Sequence, residues 1–297
     1  MRLPSQNRWV GGLQSFHLRW IGAPLLIASA FSGCLRTTPF DANPERRDLN
    51  AHNLERLRDL PAPQGPLRFV AIGDTHDEYD DLVTTAKIIN RRADLSFVVH
   101  TGDISDRGLL DEFEWAQDAL DTFDIPVFMS IGNHDAISSG KKIYRKMYGP
   151  FDYSFVYGNV KFVFFNSNTL EFPGVAPDRS WLLDQVSQRD GAEGLVLVTH
   201  HGPHNADDID GGDHREFYRD LLRNYDVTLF IHGHLADWQL SVYEGVPVLQ
   251  TGTFQDVRTH TLVTIDGATV LGYERCRFDD CRAAEPVGDP SSAGADP

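Results

Sequence analysis

Five short apolar segments of this chain end in residues that could bind a metal ion. The first, FVAIGDTH at 69–76, breaks at a glycine and continues into an aspartate and a histidine. Short apolar runs that break at glycine are typical of buried β-strands. Four later segments repeat the pattern, and the five together end at or beside Asp74, His76, Asp103, Asn133, His134, His200 and His234. Because ligands of α/β sheets gather at the C-terminal ends of the strands, the repetition predicts one shared site.

The side chains at these strand ends suit divalent cations. Carboxylate, imidazole and amide oxygen are ligands that hard and borderline metals accept. The set is large enough to hold two ions if Asp103 bridges them. Two ions about 3.5–4 Å apart can share a hydroxide, which is a nucleophile near neutral pH, and can hold a phosphoryl group for in-line attack. The sequence contains no Ser/His/Asp or Cys/His nucleophile pattern and no Gly-rich phosphate loop.

The elements that must position these residues alternate between strands and helices. The expected order is strand 69–72, helix 79–92, strand 96–100, helix 110–123 and strand 126–131. Such alternation indicates a mostly parallel sheet. The pattern then changes to runs rich in Tyr, Phe and Val around Gly158-Asn159, which predicts a β-hairpin. We therefore predict an α/β fold in which two packed mixed β-sheets are flanked by helices.

Five motifs, taken in order, resemble those of the calcineurin-like metallophosphoesterases. They are D-x-H at 74–76, G-D-x-x-D at 102–106, G-N-H-D at 132–135, the strand-end histidine at 200, and G-H at 233–234. Order and spacing agree over 67–274, and the set is specific although each motif alone is weak. The resemblance implies a four-layer αββα sandwich and a phosphoester hydrolase that uses two divalent ions (Mn, Fe or Zn).

The resemblance also implies ligands for each ion. The first metal would be bound by Asp74 and His76, with Asp103 as the bridge, and the second by Asn133, His200 and His234. Either His200 or His201 could be the strand-end ligand, and alignment of the strand favours His200.

Three further residues acquire roles beside the metals. His134 would protonate the leaving alkoxide or orient the phosphate. Asp106 would hydrogen-bond to His134 and hold its tautomer. Arg107 would either bind a phosphate oxygen or form an ordinary surface salt bridge.

This chain departs from the family pattern at two positions. The last motif of the family is usually G-H-x-H, whereas here Ala236 occupies the place of the second histidine. The missing ligand could be replaced by Asp237, by water or by His232, or the first metal could be absent. Purple acid phosphatases place a tyrosine where this chain has Asp106, so we do not expect an Fe(III)–tyrosinate centre.

The N-terminal region has the pattern of an export signal. Residues 1–33 contain three arginines and no acidic residue, and an apolar stretch at 20–31 leads into Ser-Gly-Cys. The stretch is shorter than a membrane-spanning helix needs. We predict a lipoprotein-type signal peptide over 1–33, a lipid on Cys34 and a polar tether over 34–66. The alternatives are an ordinary cleaved signal and an uncleaved anchor.

Charge and cysteine content give further expectations. The net charge of −16 argues against nucleic acid as the main partner, but not against a phosphate substrate. Cys276 and Cys281 fit a local disulfide of an oxidising compartment, or two unpaired thiols. We assign 67–275 to the catalytic domain and 276–297 to a tail.

Together these features predict an exported, membrane-tethered metallophosphoesterase of the bacterial cell envelope that acts on a small phosphoester. Neither diester nor monoester is favoured, because the choice depends on loops such as 170–178 and 205–213. The competing hypothesis is a surface lipoprotein that kept the fold and binds a metal or ligand without turnover, for which Ala236 is the reason.

Overall fold

The computed structural model of the chain describes residue 38 and the ranges 40–61, 63–203 and 213–287. The predicted signal peptide, Cys34 and most of the 205–213 loop lie outside these residues. None of the helices that the structure describes is long and apolar enough to cross a membrane.

The first sheet has six strands around a parallel centre. Its order is β12 (Asp280–Ala284), β11 (Thr269–Arg277), β10 (His260–Asp266), β1 (Leu67–Ile72), β2 (Val98–His100) and β3 (Val127–Met129). The strands β1, β2 and β3 are parallel, with Ile72 opposite His100 and His100 opposite Met129. This register aligns the ends of three strands that carry predicted ligands.

The second sheet also has six strands. Its order is β4 (Tyr153–Tyr157), β5 (Val160–Phe164), β6 (Gly194–Val198), β7 (Leu229–His232), β9 (Val246–Gln250) and β8 (Gln239–Tyr243). The predicted hairpin is the pair β4–β5, which turns at Gly158-Asn159. The strands β5, β6, β7 and β9 are parallel, so His200 and His234 follow neighbouring strands at the same edge.

Helices cover the outer face of each sheet. The helices that the structure describes are α1 (Leu49–Asp59), α2 (Tyr79–Ile89), α3 (Leu110–Leu120), α4 (Gly140–Met147), α5 (Arg179–Ser187) and α6 (Asp213–Asn224), with a short 3₁₀ turn at His134–Ala136. Of these, α1 lies against the edge strand β3. One buried apolar cluster lies between the sheets, and two more lie between a sheet and its helices. The expected four-layer α/β sandwich is therefore confirmed.

Aromatic side chains fill the space between the sheets. The ring of Phe97 stacks on that of Phe69 at 5.3 Å and meets the edge of Phe162 at 5.1 Å. Such pairs contribute about 0.5–1.5 kcal/mol each beyond the burial of their apolar surface. These ring contacts pack β1 and the start of β2 in the first sheet against β5 in the second sheet.

Part of the segment expected as a tether packs on the domain. Asn50 of α1 donates to the carbonyl of Met129 and accepts from its N–H, and Leu57 is fully buried between the sheets. Arg46 also forms an ion pair with Glu114 at 2.7 Å. The tether prediction is wrong for this stretch. The composition of α1 is polar, but one of its polar side chains, Asn50, hydrogen-bonds to the edge strand β3 and does not face solvent.

The predicted tail begins as the last hairpin of the first sheet. Cys276 and Cys281 lie opposite each other on β11 and β12, and their sulfur atoms are joined. Strand β12 therefore extends the sheet to residue 284, beyond the boundary that the sequence analysis set at 275.

Candidate metal centre

The predicted ligands leave their strands through sharp, left-handed turns. Asp74, His76, Asp103 and His234 have φ values of 50°, 43°, 56° and 73°. Non-glycine residues in this region cost on the order of 1–3 kcal/mol each and occur mostly at functional sites. Backbone hydrogen bonds from Asp74 to Gly102 (2.9 Å) and from His76 to Asp103 (3.0 Å) hold two of these turns in place.

Glycines let the loops approach one another closely. A side chain at Gly132 would overlap the carboxylate of Asp103, and one at Gly233 would overlap that of Asp74. The glycines of the G-N-H-D and G-H motifs thus make room for the acidic groups of neighbouring strands.

Four of the side chains meet at one point. The amide oxygen of Asn133 lies 2.9 Å from Nε2 of His200 and 3.1 Å from Nδ1 of His234. Nε2 of His200 is also 3.1 Å from a carboxylate oxygen of Asp103. An oxygen of an amide, an oxygen of a carboxylate and two imidazole nitrogens therefore surround a space suited to one divalent cation.

Asp74 extends this group toward the first sheet. Its carboxylate accepts the backbone N–H of His234 at 2.9 Å and is 1% exposed. Possible ligand atoms of Asp74, Asp103 and His200 all lie within 4.8 Å of one another. Asp103 and His200 both belong to the two groups, and of the pair Asp103 offers two carboxylate oxygens, as a bridging ligand would need.

The electrostatics of these buried groups favour a positive charge. Burial, and then the charge of Asp103, hold the pKa of Asp74 well above its usual range. Burial opposes the charged form of His200, but Asp103 and Asp74 outweigh it and raise the pKa of His200 to about 9. A cation between these carboxylates would let both ionise without the protons that otherwise offset their repulsion, and a bound metal would supply that charge. The residues present therefore fit a divalent metal.

A second cluster joins His76, Asp106 and His134. Nδ1 of His76 lies 2.9 Å from a carboxylate oxygen of Asp106, and the rings of His76 and His134 are 5.0 Å apart. Nδ1 of His134 instead donates to the backbone carbonyl of Asp106 at 2.9 Å. The expected contact between the Asp106 side chain and His134 is therefore wrong: the carbonyl holds His134, and the carboxylate faces His76.

Asp135 is a supporting residue to which the sequence analysis assigned no role. It is fully buried and accepts hydrogen bonds from the N–H groups of Gly132, Asp103, Ile104 and Ser105 at 2.8–3.0 Å. It therefore ties the loop after β3 to the loop after β2. Its place inside G-N-H-D was the available signal, but three of its four N–H partners follow a different strand, β2.

Comparison with known families agrees with this geometry. The model of the family described as calcineurin-like phosphoesterase matches residues 67–237, which is more than half of the chain. The chain belongs to the calcineurin-like phosphoesterases. A search of curated proteins gives no match.

Solved structures show the same fold at low identity. Purple acid phosphatase PPD1 from yellow lupin (Lupinus luteus) has a TM-score of 0.59 and 14% identity over 78% of this chain and 55% of its own. GAP50, the anchor in the inner membrane complex of Plasmodium, has a TM-score of 0.57 and 12% identity over 77% of this chain and 91% of its own. This chain thus spans about half the length of the plant phosphatase. At these identities the likeness concerns the fold alone.

Two adjacent histidines follow β6. His200 contacts Asp103 and Asn133, as described above. His201 is also buried, and its ring lies 4.1 Å from that of His234. Possible ligand atoms of His200, His201 and His234 lie within 4.8 Å of one another. Burial and the neighbouring histidines hold the pKa of His201 well below its usual range, so its ring is neutral.

Neither Asp237 nor His232 takes the place of the metal-ligating histidine that is missing at position 236. Ala236 is exposed, and its carbonyl accepts from the N–H of Thr253 at 3.0 Å. Asp237 is exposed as well. Nδ1 of His232 lies 2.9 Å from the carbonyl of Gly233. Among the described residues, neither Asp237 nor His232 belongs to a cluster of possible metal ligands.

The side chain of Arg107 is mostly exposed to solvent. It is 72% exposed, and a guanidinium nitrogen lies 3.7 Å from a carboxylate oxygen of Glu112. Arg107 therefore forms a surface salt bridge, which was the expected alternative to binding a phosphate oxygen. Exposed pairs of this kind contribute little to stability.

Proposed function

We propose that this chain is a metal-dependent hydrolase of small phosphoesters. The observation that carries the proposal is the meeting of Asp103, Asn133, His200 and His234, whose oxygen and nitrogen atoms come within 2.9–3.1 Å of their neighbours. When bound there and beside Asp74 and His76, two divalent ions (Mn, Fe or Zn) would supply a hydroxide nucleophile and neutralise the phosphoryl oxygens.

The side chains of the protein would orient a metal ligand and donate a proton to the leaving group. The backbone N–H of His134 donates to a carboxylate oxygen of Asp103 at 2.9 Å. Nδ1 of the His134 ring donates to the backbone carbonyl of Asp106. With Nδ1 protonated, the ring can give a proton from Nε2 only in its doubly protonated form, so His134 would donate to the leaving alkoxide as an imidazolium. Asp106, through its contact with Nδ1 of His76, would direct the other nitrogen of that ring toward the first metal.

Release of p-nitrophenol tests the proposal. The purified chain, stripped of metal and then given Mn²⁺, should hydrolyse p-nitrophenyl phosphate, bis-p-nitrophenyl phosphate or both. Asp103→Ala should abolish this activity, since it removes the shared ligand, whereas Asp59→Asn on the exposed face of α1 should not change it. An active Asp103→Ala protein would contradict the assignment of the bridge.

Two observations favour a second function. Ala236 removes a ligand of the first metal, and GAP50, a protein of this fold, is described as an anchor. The chain would then bind a metal or ligand without turnover. Bound metal with no release of p-nitrophenol from either ester would support this alternative.

We further propose that residues 1–33 direct export and that a lipid on Cys34 anchors the domain at the bacterial cell envelope. The basic, apolar and small-residue regions in this order support it. Mass spectrometry of the mature N-terminus should find an acylated Cys34. A mature chain that begins at another, unmodified residue would exclude lipidation.

A further inference from the structure

Three residues outside the metal centre form a row across the edge of the first sheet. His260 on β10 lies opposite Cys276 on β11, and Cys276 lies opposite Cys281 on β12. Directly opposed residues of antiparallel strands project to the same face of the sheet. Possible ligand atoms of all three therefore lie within 4.8 Å of one another.

This row is sheltered but reachable from one side. Cys276 is fully buried and His260 is 3% exposed, whereas Cys281, on the edge strand, is only partly buried. Burial and the charge of Arg92 lower the pKa of His260 to about 4, against the opposing effect of Asp279. The imidazole is therefore neutral at physiological pH, which is the form that binds metals.

We propose that His260, Cys276 and Cys281 bind one borderline divalent metal ion, such as Zn²⁺, when the disulfide is reduced. Two thiolates and one imidazole are a ligand set that zinc accepts, with water at the fourth position. A disulfide by itself needs no imidazole at the end of the row, and a buried imidazole carries a desolvation cost that a metal bond offsets.

The two states of the row exclude each other. Reduction by a dithiol transfers two electrons and two protons to the Cys276–Cys281 bond, and the dithiol becomes a disulfide. The metal then displaces the two thiol protons and binds both sulfurs. In the reverse direction, a small disulfide accepts two electrons from the thiolates and takes up two protons to become a dithiol, the Cys276–Cys281 bond forms again, and the ion is released.

Cobalt absorption tests the site in the full chain. The chain has three cysteines, so a Cys34→Ser background leaves Cys276 and Cys281 as its only thiols. After reduction with a phosphine, Co²⁺ should produce a sulfur-to-cobalt charge-transfer band that disappears when Zn²⁺ is added. At saturation of the band, the reduced chain should hold one more cobalt ion than the oxidised chain does. The metal centre contains no sulfur ligand, so its cobalt cannot give this band. The oxidised chain should not give it either.

Matched variants distinguish a built site from two reactive thiols. His260→Asn should weaken cobalt binding about tenfold or more, while His52→Asn, whose side chain is 65% exposed, should leave it unchanged. Cys281→Ser, on the edge strand, should remove the band while circular dichroism remains native. Absence of the band in the reduced parent, its persistence in Cys281→Ser, or equal affinity of a folded His260→Asn protein would overturn the proposal.

Discussion

The two halves of the proposed metal centre differ in how many side chains could surround an ion. The second-metal half consists of Asp103, Asn133, His200 and His234. Oxygen and nitrogen atoms of these side chains lie 2.9–3.1 Å from one another in neighbouring pairs. In the first-metal half, possible ligand atoms of Asp74 and Asp103 lie close together, but His76 clusters with Asp106 and His134 instead. Ala236, which takes the place of the fourth ligand, is exposed. We therefore expect one ion to be held firmly and the other to exchange easily.

The difference follows from which loops carry the ligands. The second-metal half is supported by fully buried side chains, including His200 and the structural carboxylate of Asp135. The first-metal half depends on the stretch after His234, whose side chains at 235–237 are exposed, although its backbone is held by Thr253 and by the buried Gln250. We therefore expect a substitution at an exposed position there to change the ligand set with little effect on the fold, and a change in the second-metal half to affect both.

Removal of Asn133 should have the largest effect. Its amide oxygen touches both histidines of the second-metal half, so Asn133→Ala should lower kcat/KM at least ~100-fold and reduce the bound metal. Asn224→Ala, an exposed asparagine on α6, is the control. Steady-state kinetics and metal analysis of the same samples measure the effect. If both variants keep full activity, the second-metal half is not the stronger one.

The stability of the metal-free protein should depend on pH through His200. Its pKa is raised to about 9, above the ordinary value of 6.5. The stabilisation is therefore complete below pH 6.5 and is lost as the pH rises through about 9, with a total of up to about 3 kcal/mol. Urea unfolding after treatment with a chelator measures it. A bound divalent metal should remove this dependence, and an equally steep loss in the metal-bound protein would contradict the explanation.

Asp135→Asn should destabilise the protein by about 1–3 kcal/mol. The amide cannot accept from all of the N–H groups that face this carboxylate, and one or more would stay buried without a partner. Thermal unfolding should show a lower Tm than for Asp220→Asn, an exposed position on α6. Equal Tm values for the two variants would mean that Asp135 does not tie the loops together.

Ala236→His should have the smallest effect, and in the opposite direction. It restores the fourth ligand of the first-metal half, so the more weakly bound ion should gain affinity about tenfold, or about 1.4 kcal/mol. Leu235→His places a histidine one residue earlier and is the control. Titration of the metal-free protein with Mn²⁺ measures both. If the two variants bind alike, position 236 does not face the ion.

Much of this arrangement could be predicted because the relevant signals are local. A run such as FVAIGDTH contains both the strand and the residues that follow it, so the identity of Asp74 and His76 as strand-end residues needs no tertiary information. The order of strands and helices follows from the same kind of pattern. The motif set then predicts the family, which the match over 67–237 shows.

Other features depend on contacts between distant segments. The packing of Asn50 on Met129, across 79 residues of chain, is invisible in a segment whose composition is polar. The two functions of Asp106, with its carbonyl on His134 and its carboxylate beside His76, depend on the conformation of a loop. No periodicity encodes either one.

The amino-acid sequence by itself determined which residues stand at the strand ends, because apolar runs and glycine breaks are properties of neighbouring positions. The tertiary structure alone decided which of them meet, since the distance between Asn133 and His200 depends on how two separate sheets pack around Phe97 and its neighbours. It also decided that Asp135 supports the site and that His260 stands beside two cysteines. Both arrangements come from the pairing of strands that are far apart along the chain.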